Sequence, residues 1–189
     1  MKSQISVLKN SLSGDLLDGK FDNGRYSTDA SIYQIMPEAV ILPKNIEDIK
    51  KTIQFSQEHN IPILPRGGGT SQNGQTVNRA IVLDNSKYLN KIIEVDAINQ
   101  TCLVEPGVVL DELNRFLKPY GLWFPVDVST SSRATIGGMA GNNSAGGRSI
   151  RYGIMRDNVM SIDALLSDAS EAHFGLSKDN ISGLKSLFP

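Results

Sequence analysis

The sequence predicts an α+β chain of two lobes, a small βαβ lobe and a larger lobe of mixed or antiparallel sheet with helices. Three observations carry this. The order strand, helix, strand occurs once within residues 39–64. Short apolar runs separated by turns follow from residue 80. Two separate glycine-rich stretches, 65–74 and 134–147, interrupt the regular patterns. The resulting division is an N-terminal helix and arm over 1–29, a first lobe over 30–79 and a second lobe over 80–189. A chain of 189 residues is long enough to bury a core.

Residues 3–12 place Ile5, Leu8 and Leu12 on one side of a short helix. Residues 14–36 are rich in Gly, Asp, Asn and Ser and read as an extended or looped arm. Ala39-Val40-Ile41-Leu42 is an apolar strand stopped by Pro43. Asn45 is an N-cap, and Glu47 and Asp48 lie in the first turn, where negative charge suits the helix dipole. Ile46, Ile49 and Ile53 then give helical spacing over 46–58, and Ile61-Pro62-Ile63-Leu64 is a second strand. Together these make a right-handed βαβ unit. Residues 80–83, 92–95 and 101–104 are short strands assigned to a second sheet. Val109, Leu113, Phe116 and Leu117 mark a helix ending near Gly121. A last strand runs over 159–166, with a turn at Asp168-Ala169-Ser170.

The stretch Pro65-Arg66-Gly67-Gly68-Gly69-Thr70-Ser71-Gln72-Asn73-Gly74 follows the second strand of the βαβ unit. Ligands gather at such carboxyl ends in open α/β sheets. Three successive glycines contribute no side chain to a core. They allow positive φ at consecutive residues, so that backbone N–H groups converge on an anion. Thr70 and Ser71 add hydroxyls and Arg66 adds a positive charge. No lysine lies between Leu64 and Ile81, which excludes a Walker A loop, and Gln72 breaks the dinucleotide fingerprint. An ordinary glycine-rich surface turn is the competing reading. The second stretch, Ala134 to Gly147, holds five glycines among small residues. It reads as a short helix whose N-terminus faces a phosphate, or as a tight packing segment. Two such cradles suit a pyrophosphate or longer polyphosphate ligand.

The formal net charge of −1 gives no electrostatic footprint for nucleic acid. With Cys102 as the single cysteine, no internal disulfide, iron–sulfur cluster or Cys-based zinc site can form within this chain. Neither a long apolar leader nor a run approaching 18 apolar residues is present, so a soluble, cytoplasmic protein is expected, peripheral attachment to the inner membrane being the alternative.

Both loops together carry a family likeness. "PRGGGTSQNG", a "VEPGV" strand end with a following helix, "ATIGGMAGNNSAGG" and "RYG" succeed one another in that order. This resembles the FAD-binding domain of the vanillyl-alcohol oxidase and p-cresol methylhydroxylase (PCMH) type. It is most similar to FAD-linked dehydrogenases of D-2-hydroxy acids such as D-lactate, D-2-hydroxyglutarate and glycolate. The opening "STDASIYQIMPEAVILPKN" looks like the long members that carry a C-terminal iron–sulfur region. The likeness covers about residues 26–175.

The resemblance implies an FAD-dependent oxidoreductase acting on CH–OH groups, with a small 2-hydroxy acid as substrate. It implies that Arg66, Gly67, Gly68, Gly69, Thr70 and Ser71 surround the FAD pyrophosphate, with Gln72 and Asn73 nearer the flavin. Thr135, Gly137, Gly138, Asn142 and Ser144 form the second cradle, and Asp127 and Ser131 join from the preceding loop. Gly153 and the backbone near Ile162 lie close to the cofactor. Flavinylated relatives have a histidine where this chain has Thr70, so the FAD is expected to be non-covalent. A later glycine loop and the cap domain with its catalytic histidine do not occur before Pro189. The expectation is therefore an N-terminal piece without its catalytic base, any iron–sulfur cluster lying outside it. The electron acceptor (quinone, cytochrome or electron-transfer protein) is unspecified.

Alternatives from the same superfamily are an alcohol or sugar oxidase and the reductase of cell-wall precursor synthesis; a non-catalytic nucleotide-binding module is the rival class. His59 reads as a helix-end cation, His173 as a surface or sheet residue, and Cys102 as a core thiol. Arg148, Arg151 and Arg156 form a solvated basic face or contact an anionic ligand.

Overall fold

The computed structural model describes residues 2–176. Residues 177–189 of the expected second lobe lie outside the described residues. Two compact units are formed, one running through Leu89 and taking in Ser167–Ala169, the other comprising Asn90–Leu166 and the stretch from Ser170.

The first unit is built on a four-stranded sheet. Helix α1 (Lys2–Ser11) is followed by β1 (Asp15–Leu17), α2 (Lys20–Arg25), β2 (Ala39–Leu42), α3 (Ile46–His59), β3 (Ile63–Arg66) and β4 (Ile81–Asp84). The strand order is β1-β2-β4-β3. β4 is parallel to both β2 and β3, and β1 is antiparallel to β2. Two expectations are corrected here. The strands of the βαβ unit are not neighbours, because β4, assigned from sequence to a second sheet, inserts between them. The reason is chemical: every residue of β4 is buried, which suits a central strand. β3 carries Pro65, which has no N–H to donate and so belongs at an edge. The arm is also more ordered than expected, since Asp15–Leu17 closes the opposite edge and Lys20–Arg25 is helical.

Alternation along β2 divides the core. Ala39 and Ile41 face a cluster with Ile5, Leu8, Phe55, Ile81 and Leu83, beneath α1 and α3. Val40, Leu42 and Val82 face the other way, against Leu17, Tyr26, Leu64 and Tyr88. The Asn45 side chain accepts from the Asp48 N–H, and Asn60 ends α3 with left-handed φ of 51°. Asp48, only 1% exposed, accepts backbone N–H groups from Ser13 (2.8 Å), Gly14 (2.9 Å) and Lys44 (2.9 Å). One carboxyl thus ties the segment before β1 and the end of β2 to the start of α3. His59 stacks on Phe55 with ring centroids 4.2 Å apart, at the end of that helix.

In the second unit, β5 (Ile92–Asp96) and β6 (Thr101–Val104) pair antiparallel, as the sequence pattern suggests. Helix α4 (Leu110–Leu117) buries Leu110, Leu113 and Leu117, and a 3-10 turn carries the chain to Gly121. Phe116 is exposed and lies off the buried stripe. Cys102 packs with Val108, Leu113 and Leu117, and burial pushes its thiol pKa up. Short helices α5 (Ile136–Gly141), α6 (Ser149–Tyr152) and α7 (Met155–Asn158) follow. The last strand is β7 (Ser161–Leu165), paired with β8 (Glu171–Gly175) through a turn in which Ala169 takes φ of 66°. His173 lies in β8 and bonds Asp163 at 2.6 Å.

Candidate functional site

β2, β3 and β4 run parallel, so their carboxyl ends share one edge of the first sheet. The residues Arg66, Gly67, Gly68, Gly69, Thr70, Ser71, Gln72 and Asn73 leave from that edge as one loop. Within the glycine triplet only Gly69 has positive φ, at 65°, and the next such residue is Gly74 at 76°. The expected run of consecutive left-handed residues is therefore reduced to one inversion. Ser71 hydrogen-bonds Gln75 and accepts the Asn73 N–H at 3.3 Å, a local turn that shapes the loop's tip.

Arg66 departs most from its expected role. Its Nη1 donates to the carbonyls of Thr76 (3.0 Å) and Tyr26 (3.3 Å), and its Nη2 to that of Thr28 (2.8 Å). The guanidinium also lies 5.3 Å from the centroid of the Tyr26 ring. Burial pulls its pKa down, opposed by Asp84 and Asp29. Tyr26 in turn donates from Oη to Asp84 Oδ2 at 2.7 Å, and burial followed by this bond drives the Tyr26 pKa upward.

The arm lies on the loop. Ala30 N–H donates to Gly69 O at 3.2 Å, and Thr76 Oγ1 donates to Asp29 Oδ2 at 2.9 Å. Asp29 also accepts the Ser31 N–H at 2.8 Å. Burial raises the Asp29 pKa, but the bonds from Ser31 and Thr76 outweigh it and hold the carboxyl below its ordinary value. Asn85, just beyond β4, donates its N–H to Arg66 O at 3.2 Å, while its buried side-chain Oδ1 has no donor among the described residues. Sequence reasoning missed Tyr26, Asp29, Thr76, Asp84 and Asn85. Only Asp29, in Asp-Ala-Ser, shows a local signal, that of an Asx turn.

The second glycine stretch lies in the second unit. Thr135, 2% exposed, caps α5 and accepts the Gly138 N–H at 3.3 Å. Ile136 N–H donates to Val108 O and Gly137 N–H to Pro106 O, both at 2.8 Å. The first three amides of the helix are thus engaged within the protein, and the expectation that its N-terminus faces a phosphate is corrected. Asn142 N–H and Ser144 N–H also bond back to the helix, at 3.1 and 2.9 Å. What α5 offers instead is a bare face, with Gly138, Gly141 and Asn142 exposed.

Asp127 serves the following turn. Its Oδ1 accepts the Arg148 N–H at 2.9 Å, and its Oδ2 lies 3.6 Å from Arg148 Nε. A Cβ on Gly146 would stand 2.2 Å from Asp127 Oδ1, so this approach requires glycine. Ser131 O accepts the Asp111 N–H at 3.1 Å in the first turn of α4. Gly153 has φ of 82° after α6, and Ile162 is a half-exposed residue of β7 opposite Phe174. Of the basic cluster, Arg148 lies over Trp123, Arg151 over Tyr152, and Arg156 lies 3.6 Å from Asp157.

The fold is α+β, with the glycine loop at the carboxyl ends of parallel strands. A family described as FAD binding domain matches residues 37–175, and the chain belongs to that family. It is 40% identical over 156 residues to the D-2-hydroxyglutarate dehydrogenase of Escherichia coli (strain K12), covering 81% of this chain and 15% of that protein. It is 39% identical over 159 residues to the glycolate oxidase subunit GlcD of Bacillus subtilis (strain 168), covering 82% of this chain and 34% of that one. The chain thus spans well under two thirds of these relatives. Among solved structures, alkyldihydroxyacetonephosphate synthase superposes with a TM-score of 0.81 at 22% identity, over 99% of this chain and 36% of the other. p-Cresol methylhydroxylase gives 0.78 at 20% identity, over 97% and 36%. The family likeness and the PCMH-type fold expected from the two loops are borne out.

Proposed function

We propose that this chain is the FAD-binding part of a flavin-dependent dehydrogenase of D-2-hydroxy acids. The observation that carries the reading is the glycine loop at the carboxyl edge of the parallel strands, in a chain of the FAD binding domain family. The first unit's residues fit such a ligand on their own chemistry. The loop carries no lysine, and Arg66 is turned onto carbonyls, so a pyrophosphate would be received by backbone amides of residues 67–71 and the Thr70 hydroxyl. The buried Asn85 oxygen, with no donor among the described residues, supplies an acceptor at the same edge, which suits a hydroxyl or N–H of the nucleotide. In the second unit the exposed small residues Gly138 and Gly141, with Asn142, allow close backbone approach.

FAD, when bound, supplies the redox chemistry, accepting the hydride lost from the substrate α-carbon. This chain's residues bind and orient it. We place no catalytic base here, and assign the substrate carboxylate site and the base to sequence outside residues 1–189. The test is a calorimetric titration of FAD into residues 1–189, followed by each hydroxy acid with an artificial electron acceptor. The expected result is weak or no FAD binding and no turnover, because a base must lie within hydrogen-bond reach of the substrate hydroxyl. Tight binding with turnover would place the active site within this chain.

A second expectation concerns attachment. Thr70 cannot form the histidine–flavin bond of covalent relatives, and His59 and His173 both lie outside the two glycine stretches. Acid denaturation of the full-length protein should release FAD into the supernatant; yellow precipitate would contradict this.

A further inference from the structure

One side chain reaches from the start of the 66–76 loop to its end. Arg66 is the last residue of β3, and its Nη1 reaches the carbonyl of Thr76, ten positions along the chain. The same nitrogen and its neighbour Nη2 hold Tyr26 O and Thr28 O, so the guanidinium ties the 26–28 segment and Thr76 to the end of β3. Its plane is backed by the Tyr26 ring, and Tyr26 is fixed by its hydroxyl on Asp84, the residue beside Arg66 in the β3–β4 register. The left-handed residue of the loop is shaped around this group: a Cβ on Gly69 would lie 2.6 Å from Nη2. Gly69 O is meanwhile held by Ala30 N–H, two residues past Thr28.

We infer that Arg66 is a positioning residue for the nucleotide: its planar fork, rather than its charge, holds the glycine loop in the form that receives FAD, and it makes no phosphate contact. The physical basis is geometric. Three carbonyls lie within 2.8–3.3 Å of two guanidinium nitrogens. A lysine ammonium is a compact point charge on a flexible stem and cannot bridge the same three acceptors. Without the fork, closure of the loop must be supplied at binding, and the ligand's affinity falls by that ordering cost.

The inference rests on the FAD reading, and the experiment separates the two. Arg66→Lys and Arg66→Met are introduced into the full-length protein and the apoproteins prepared. FAD affinity is measured by fluorescence quenching at low and high salt. Hydrogen exchange of amides 67–76 is measured in the absence of FAD. Both variants should bind FAD about ten-fold or more weakly than wild type, as expected for losing charge-assisted bonds. The loss should be equal for Lys and Met and independent of salt. Exchange at 67–76 should rise in both, with strands 39–42 and 81–84 unchanged. Near-normal affinity in Arg66→Lys, or weakened binding without faster exchange in the apoprotein, overturns the inference, since either marks a direct contact with the ligand. If Arg66→Met does not fold, Arg66→Lys decides alone. Failure of the wild-type protein to bind FAD would instead refute the FAD reading, and the exchange measurement would still test the clasp.

Discussion

Gly69→Val in the full-length protein should abolish FAD retention while leaving the apoprotein folded. At φ of 65° a β-branched residue is strained by about 1–3 kcal/mol. Its Cβ would also displace the Arg66 guanidinium, 2.6 Å away, from the carbonyls it holds. The loop then loses the form in which, on the FAD reading, its amides would receive the pyrophosphate. Losing one or two charge-assisted bonds at about 1.5–3 kcal/mol each lowers affinity by about a hundred-fold. Gly121→Val is the matched control. Gly121 has φ of 69°, and nothing lies within 4 Å of a Cβ built there. It should bring a similar backbone strain with no change in FAD affinity. A Gly69→Val protein that purifies with normal flavin content would remove this loop from the cofactor site.

Asp48→Ala should strongly destabilise the first unit. The carboxyl accepts three backbone N–H groups in a site 1% exposed to solvent. Alanine removes the acceptor of three partly buried N–H groups, at about 1 kcal/mol each, so a loss of roughly 3 kcal/mol is expected. That is a large part of a typical folding free energy of about 5–15 kcal/mol. The urea midpoint should fall with little change in slope. Asp48→Asn keeps one acceptor oxygen and should lie between wild type and alanine. A midpoint shift equivalent to less than about 1 kcal/mol would mean that water reaches these amides and the carboxyl is not their main partner.

Local chemistry was legible in the sequence, and long-range geometry was not. Helix α3 is announced by Asn45, Glu47 and Asp48 and by the spacing of Ile46, Ile49 and Ile53, all within one segment. The glycine loop is legible because a strand precedes it and no helix follows. The insertion of β4 between β2 and β3 depends on residues far apart; only Pro65 hinted at it, by barring β3 from the centre. β1 is three residues in a polar stretch, and its pairing with β2 is tertiary. The amides of Ile136 and Gly137 are taken by Val108 and Pro106, about thirty residues earlier, so no pattern in 134–147 shows that they are engaged. Arg66 looked like a phosphate ligand because its type and place fit one. Its carbonyl partners in the arm, 38 and 40 residues away, become visible only in three dimensions.

The flavin content of the full-length protein, isolated from its own host, tests the FAD assignment most directly. The protein should show flavin absorbance at one FAD per chain, release FAD on acid denaturation, and lose that absorbance on anaerobic addition of a D-2-hydroxy acid. Protein that is colourless as isolated and takes up no added FAD would contradict the assignment.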